Sequence, residues 1–232
     1  MRMRELLGAG LPLLVLLGGL APAARADMVL SEVIVDLQSP KEVRRDIEVW
    51  NSGAEVLYVE VQVSQILEPA GDESKRAKLS DPRSAGLLAS PNRLAIQPNQ
   101  RKRVRIVARK PAMDGDLVYR VAFIPRENPV RSQEEMAFKV LVGYEVLVIV
   151  RPPGGKPDLS VARHGQVLQF ENRGNSSILV RKLEQCPGGA TECTEIAGNR
   201  LYAGERWETT LPHPGPVRVF ESYRTENRVK RY

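Results

Sequence analysis

Two histidines and two cysteines are all that this 232-residue chain offers of the side chains that most often do acid–base, metal or thiol chemistry. A nucleophile–base constellation has almost nothing to draw on. No Gly-x-Ser-x-Gly elbow, Ser-x-x-Lys pair, phosphate loop or His-Glu-x-x-His motif occurs. Acid pairs such as Glu134-Glu135 sit in polar sequence and read as solvated charge. The expectation is a non-enzyme with no cofactor and no metal. Aromatic residues make up only 5% of the chain, and the arginines are scattered among acids rather than interleaved with rings on which bases could stack. That argues against a nucleic-acid partner. Beyond residue 20 no apolar run approaches the ~18 residues needed to cross a bilayer, and no stretch carries a strong helical period.

What is present begins with a leader. Met1-Arg2-Met3-Arg4 is a short basic segment, Leu6 to Leu20 an apolar run, and Ala24-Arg25-Ala26 a small-x-small cleavage site. This is the pattern of a secretory signal peptide over residues 1–26, with an uncleaved anchor as the other reading. Asp27 rather than a cysteine follows the site, so there is no lipoprotein acceptor, and no membrane insertion is expected after cleavage. Loss of Arg2, Arg4, Arg25 and Glu5 with the leader lowers the formal charge of +6 by two, to +4. Such a mild basic balance serves solubility and steering toward acidic partners. In an oxidising compartment, Cys186 and Cys193 around Pro187-Gly188-Gly189 read as a disulfide closing a hairpin. Zinc is the alternative, but it would need further ligands, and only His164 and His213 exist, neither at finger spacing.

From Asp27 to Pro152 the chain is a series of β-like runs separated by turn residues. Expected strands are Met28–Leu37, Arg44–Trp50, Val56–Leu67, Leu87–Gln97, Arg103–Ala108 and Leu117–Pro125. Glu68–Ser84 and Arg126–Glu135 read as polar loops. A long strand follows over residues 136–151. Its even positions, Met136, Phe138, Val140, Val142, Tyr144, Val146 and Val148, are all large and apolar, and in a strand they share one face. A core needs only part of that ridge; the rest is an aggregation hazard or an edge built to pair with another chain. About seven strands without helix predict an immunoglobulin-like sandwich over 27–152. Residues 153–157, rich in proline and glycine, mark a linker. Residues 158–232 predict a second, smaller β-sandwich, with strands at Leu159–Arg163, Val167–Asn172, Ile178–Leu183, Thr194–Ile196, Arg206–Thr210 and Val217–Tyr223. The charged end, Thr225–Tyr232, reads as frayed. Asn175-Ser176-Ser177 fits a glycosylation acceptor or a plain turn.

One stretch carries a resemblance. Leu88-Ala89-Ser90-Pro91-Asn92-Arg93-Leu94-Ala95-Ile96-Gln97-Pro98-Asn99-Gln100-Arg101-Lys102-Arg103-Val104-Arg105-Ile106 resembles the periplasmic chaperones of the chaperone–usher pathway for pili, with their apolar pair, Pro–Asn–Gln turn and basic strand. Asp116 to Pro125 resembles the strand that follows there, and the ridge ending in Arg151-Pro152 resembles the strand that such chaperones lend to a pilus subunit. The match covers most of 27–152. Beyond 157 it is looser; Leu183 to Cys193 and Leu201-Tyr202-Ala203-Gly204 are similar to divergent, alpha-type fimbrial chaperones. The resemblance implies a periplasmic, ATP-independent chaperone whose partners are pilin or fimbrial subunits and an outer-membrane usher. It implies donor residues Met136, Phe138, Val140 and Val142; the other reading is that these face the chain's own core. The family anchors the subunit's terminal carboxylate with an arginine on the first strand and a lysine on the donor strand, and here Ile34 and Leu147 stand at those positions. Arg120, expected to face outward beside the donor strand, and then Arg151 are the candidate replacements; the plain alternative for each is a solvated surface arginine. Two rival readings are a polymerising adhesin or structural surface sandwich and a chaperone-like protein of another secretion task. A polymerising unit should lack a strand and begin with a donor extension, whereas here Met28 directly begins a strand.

Overall fold

The computed structural model describes residues 28–70, 76–78, 86–126, 141–186 and 192–232. The leader, and the ridge positions Met136, Phe138 and Val140, lie outside them. The described chain is all strand: β1 Met28–Leu30, β2 Ile34–Gln38, β3 Arg44–Asn51, β4 Leu57–Ile66, β5 Arg76–Lys78, β6 Leu87–Ser90, β7 Arg93–Ile96, β8 Arg101–Ala108, β9 Leu117–Arg126 and β10 Tyr144–Arg151. Then follow β11 Leu159–His164, β12 Val167–Asn172, β13 Ile178–Gln185, β14 Thr194–Ala197, β15 Arg200–Leu201, β16 Arg206–Thr210, β17 Val217–Tyr223 and β18 Glu226–Arg231.

The first ten strands form two sheets, one ordered β1-β3-β8-β6 and the other β2-β10-β9-β4-β5, with β7 pairing β4. The first order is that of the A, B, E and D strands of an immunoglobulin domain, and β10-β9-β4 is that of its G, F and C strands. Alternation explains the layering. Val59, Val61, Val104, Ile106, Tyr119, Val121, Phe123, Val146, Val148 and Val150 all point into one buried core between the sheets. The sequence suggested single strands at Met28–Leu37 and Leu87–Gln97. Each is in fact two strands on opposite sheets, broken at Ser31–Val33 and at Pro91-Asn92. At the second break Pro91 has no N–H to give a ladder, so the chain crosses between sheets there at little cost in hydrogen bonds.

The later strands form a three-stranded sheet, β11-β12-β16, and a second ordered β14-β13-β17-β18, with β15 pairing β13. This is again an immunoglobulin-like pairing of A-B-E against C-F-G, smaller than the first. Its core is Leu168, Phe170, Ile178, Val180, Leu183, Leu201, Leu211, Val217 and Val219, with Phe170 stacked on Trp207 at 4.9 Å. Cys186 and Cys193 are disulfide-bonded at the far end of β13. The expectation of a frayed end fails here. Glu226–Arg231 is the last strand of the second sandwich, pairing β17 along its length, and Tyr232 exchanges backbone hydrogen bonds with Val217. Its side chains are exposed, and all but Val229 are polar, so hydrophobic pattern alone does not reveal it.

Candidate functional site

The site is read from β10 and the face around it. β10 runs antiparallel to β9 over Tyr144↔Phe123 to Val150↔Leu117. On its other side it runs parallel to β2, but only from Leu147↔Ile34 onward. The ladder on that side opens with the Leu147 amide donating to the Val33 carbonyl at 3.0 Å. Among the described residues no strand runs beside Tyr144 on the side that β2 occupies lower down. The core face of the strand changes along the same axis. Val146, Val148 and Val150 are fully buried, Tyr144 is half-buried, and Val142 keeps 49% of its surface. Leu141, Val33 and Ile34 are exposed as well. Among the described residues the apolar side chains thus continue, at Val142, past the core that covers β10, next to an edge of the sheet.

The opposite face of β10 points toward the second sandwich. Cross-strand register sets two rows on it. One is Asp36, Ile149, Val118 and Ile66; the next is Ile34, Leu147, Arg120 and Ser64. Ile66, Val118, Leu147 and Ile149 form a small buried cluster outside the first core, and Tyr202 of the second sandwich packs against it. The two apolar side chains at the sequence-aligned anchor positions, Ile34 and Leu147, are therefore direct neighbours on adjacent strands. Arg120 follows Leu147 in the same row and is half-buried.

Arg151 ends the row system. Its side chain is only 2% exposed. Its Nε donates to both Asp36 oxygens at 2.8 and 2.9 Å, and its Nη1 to the Ser176 hydroxyl at 2.7 Å and the Ser177 carbonyl at 2.9 Å. Asp116 lies 3.4 Å from Nη1 and itself accepts from the Ser176 hydroxyl and the Ser177 amide, both at 2.7 Å. The guanidinium also lies 4.8 Å from the centre of the Tyr223 ring. Burial pulls the Arg151 pKa down, but the Asp36 hydrogen bond and the Asp36 and Asp116 charges outweigh it and hold it above its ordinary value. Arg151 is thus the tie between the sandwiches, joining β2 and the start of β9 to the β12–β13 turn and β17. The sequence reading passed over most of this network. Its only signal was Asp36 interrupting an apolar strand; Ser176 and Ser177 looked like turn residues, yet both are fully buried. Among the described residues no cluster of histidine, cysteine, aspartate and glutamate is placed to hold a metal ion.

No family model matches the sequence, and no curated protein matches it. Solved structures do. The SafB chaperone of Salmonella enterica, solved with the SafA pilin, is 16% identical, with a TM-score of 0.61 over 90% of this chain and 97% of that one. The class 5 fimbriae chaperone CfaA is 17% identical, with a TM-score of 0.60 over 88% and 98%. The CupB2 chaperone of Pseudomonas aeruginosa is 12% identical, with a TM-score of 0.60 over 88% and 98%. At such identities the likeness establishes the fold: two immunoglobulin-like sandwiches in tandem, spanning nearly the whole length of fimbrial chaperones.

Proposed function

We propose that this chain is a periplasmic chaperone that binds pilin or fimbrial subunits by lending them a strand and passes them to an outer-membrane usher. The observation that carries the reading is the gradient from the fully buried Val150 of β10 to the half-exposed Val142 just before that strand begins, beside an edge at Tyr144 that no strand covers among the described residues. A subunit whose sandwich lacks one strand gains both things it needs from such a segment: a main-chain ladder, and alternating apolar side chains to fill its groove. Each large aliphatic side chain so buried contributes roughly 1.5–3 kcal/mol. Met136, Phe138, Val140 and Val142 are the donor positions. No ATP or cofactor enters, because the binding energy is that of completing a fold. Residues 1–26 are then the leader that brings the chain to the periplasm, and 153–157 the linker between the binding and the second domain.

The subunit's terminal carboxylate needs a cation. Of the two arginines, Arg120 suits the role better: it stands in the row of Ile34 and Leu147, whereas Arg151 is enclosed by Asp36, Asp116, Ser176 and Ser177. The test is co-expression with a fimbrial subunit and isolation of the complex. The reading expects a one-to-one complex that a Val140→Glu or Val142→Glu chain fails to form while remaining folded by circular dichroism. Equal complex formation by the variants overturns it.

A further inference from the structure

A cation stands against the disulfide of the second sandwich. Val217 and Val219 point into the second core, so Arg218 between them points outward. Across the ladder Arg218 faces Glu184. The pairing of β13 with β14 ends at Gln185↔Thr194, so Cys186 and Cys193 come next along the two chains. The Arg218 Nη2 lies 3.7 Å from the Cys186 Sγ and 4.0 Å from the Cys193 Sγ. The same nitrogen donates to Glu184 at 2.6 Å. Glu184 also pairs with Lys182, which holds Glu195 in addition, so Glu184 does not serve Arg218 alone. The Arg218 side chain keeps 49% of its surface. Cys193 is exposed, whereas Cys186 is only partly so. One sulfur is thus open to an attacking thiol, and a guanidinium lies against the sulfur that would leave. That arrangement favours thiol–disulfide exchange, which speeds up when the departing thiolate is stabilised.

We propose that this disulfide is a site of reversible thiolation, with Cys193 the sulfur attacked and Arg218 the residue that stabilises the departing Cys186 sulfur. The co-reactant is a low-molecular-weight thiol. Its thiolate attacks the Cys193 Sγ and forms a new S–S bond there. The bond to Cys186 breaks, its electron pair leaves on the Cys186 Sγ, and that thiolate stays beside the Arg218 guanidinium. A mixed disulfide remains on Cys193. Attack by the Cys186 thiolate on the Cys193 Sγ reverses the step and expels the thiol. Attack by a second thiol instead releases the reagent as its own disulfide and leaves both cysteines reduced, a transfer of two electrons.

The test uses the full-length mature chain and excess mercaptoethanol, a thiol without carboxylates, so that Arg218 cannot act by attracting acids on the reagent. Samples are quenched by alkylation and mapped by mass spectrometry. The proposal expects a rate that rises in proportion to the thiol. The first modified species should carry the reagent on Cys193 and the alkyl group on Cys186. Arg218→Gln should slow the reaction about fivefold, and Arg218→Lys, which keeps the charge, should slow it less. The direction of the change separates this role from a structural one. A variant that merely loosened the hairpin would open the bond to solvent and be reduced faster. An unchanged or faster rate in Arg218→Gln, equal slowing in the glutamine and lysine variants, reagent found first on Cys186, or a rate independent of thiol concentration each overturn the proposal.

Discussion

The two halves of one strand face differ more than any other pair of neighbouring regions in this molecule. Val146, Val148 and Val150 lie under the other sheet with no exposed surface; Val142, two residues before β10 begins, is half uncovered. The residue types are the same. Only the cover differs, because β2 leaves β10 at Leu147 and the core ends near Tyr144. The covered valines therefore work for the fold, and Val142 is left without such cover among the described residues. Identical valines can be structural or functional depending on what lies against them, and that is information a local pattern does not hold.

The contrast can be broken from the structural side first. Val148→Asp puts a charge into the closed core opposite Tyr119; it should cost more than about 4 kcal/mol, seen as loss of the cooperative melt of the first sandwich. Arg151→Ala, at the closed end of the same strand, leaves Asp36 and Asp116 without their cation and should cost about 3–5 kcal/mol; chemical denaturation should register it together with separation of the two sandwiches as independent transitions. Reducing the Cys186–Cys193 disulfide, far from the ridge, should cost about 2–3 kcal/mol, confined to the second sandwich and leaving subunit binding intact; mass spectrometry of the unreduced chain checks the bond itself. Gly86→Ala brings a methyl within 2.2 Å of the Tyr119 hydroxyl and should cost about 1–3 kcal/mol by overpacking the core under Val148. Adding Tyr119→Phe should recover part of that loss, because the hydroxyl is buried with no hydrogen-bond partner among the described residues. Val142→Glu comes last. Its effect on stability should stay within about 0.5 kcal/mol, although it abolishes capture of the subunit.

Much of this was legible beforehand. Alternation in Val56–Leu67 and Arg103–Ala108 identified strands and their inward faces, and the apolar neighbours Tyr119 and Val121 within Leu117–Pro125 put Arg120 on the outward one. The long strand expected over residues 136–151 begins only at Tyr144 among the described residues; 141–143 are not strand, and Met136, Phe138 and Val140 lie outside the described set. The cysteine pair and its turn announced the disulfide. Three things were not legible. The split of β1 from β2 and of β6 from β7 depends on which sheet each half joins, a tertiary choice. The strand Glu226–Arg231 carries no apolar face to betray it. The roles of Asp36, Asp116, Ser176 and Ser177 arise only when the second sandwich is brought against the first, since in sequence they are up to 141 positions apart.

The central claim is that the segment above Leu147 is lent as a strand to a subunit, which pairs with its open edge. Amide hydrogen exchange, compared between the free chain and its complex with a co-expressed fimbrial subunit, tests it most directly. The account predicts that the Gly143 amide, aimed by alternation to the same side as the Leu147 amide that donates to Val33, gains strong protection in the complex, while Val148 and Val150, paired with β9, are protected in both states. Protection that appears elsewhere on the chain, with Gly143 exchanging as fast as before, would contradict it.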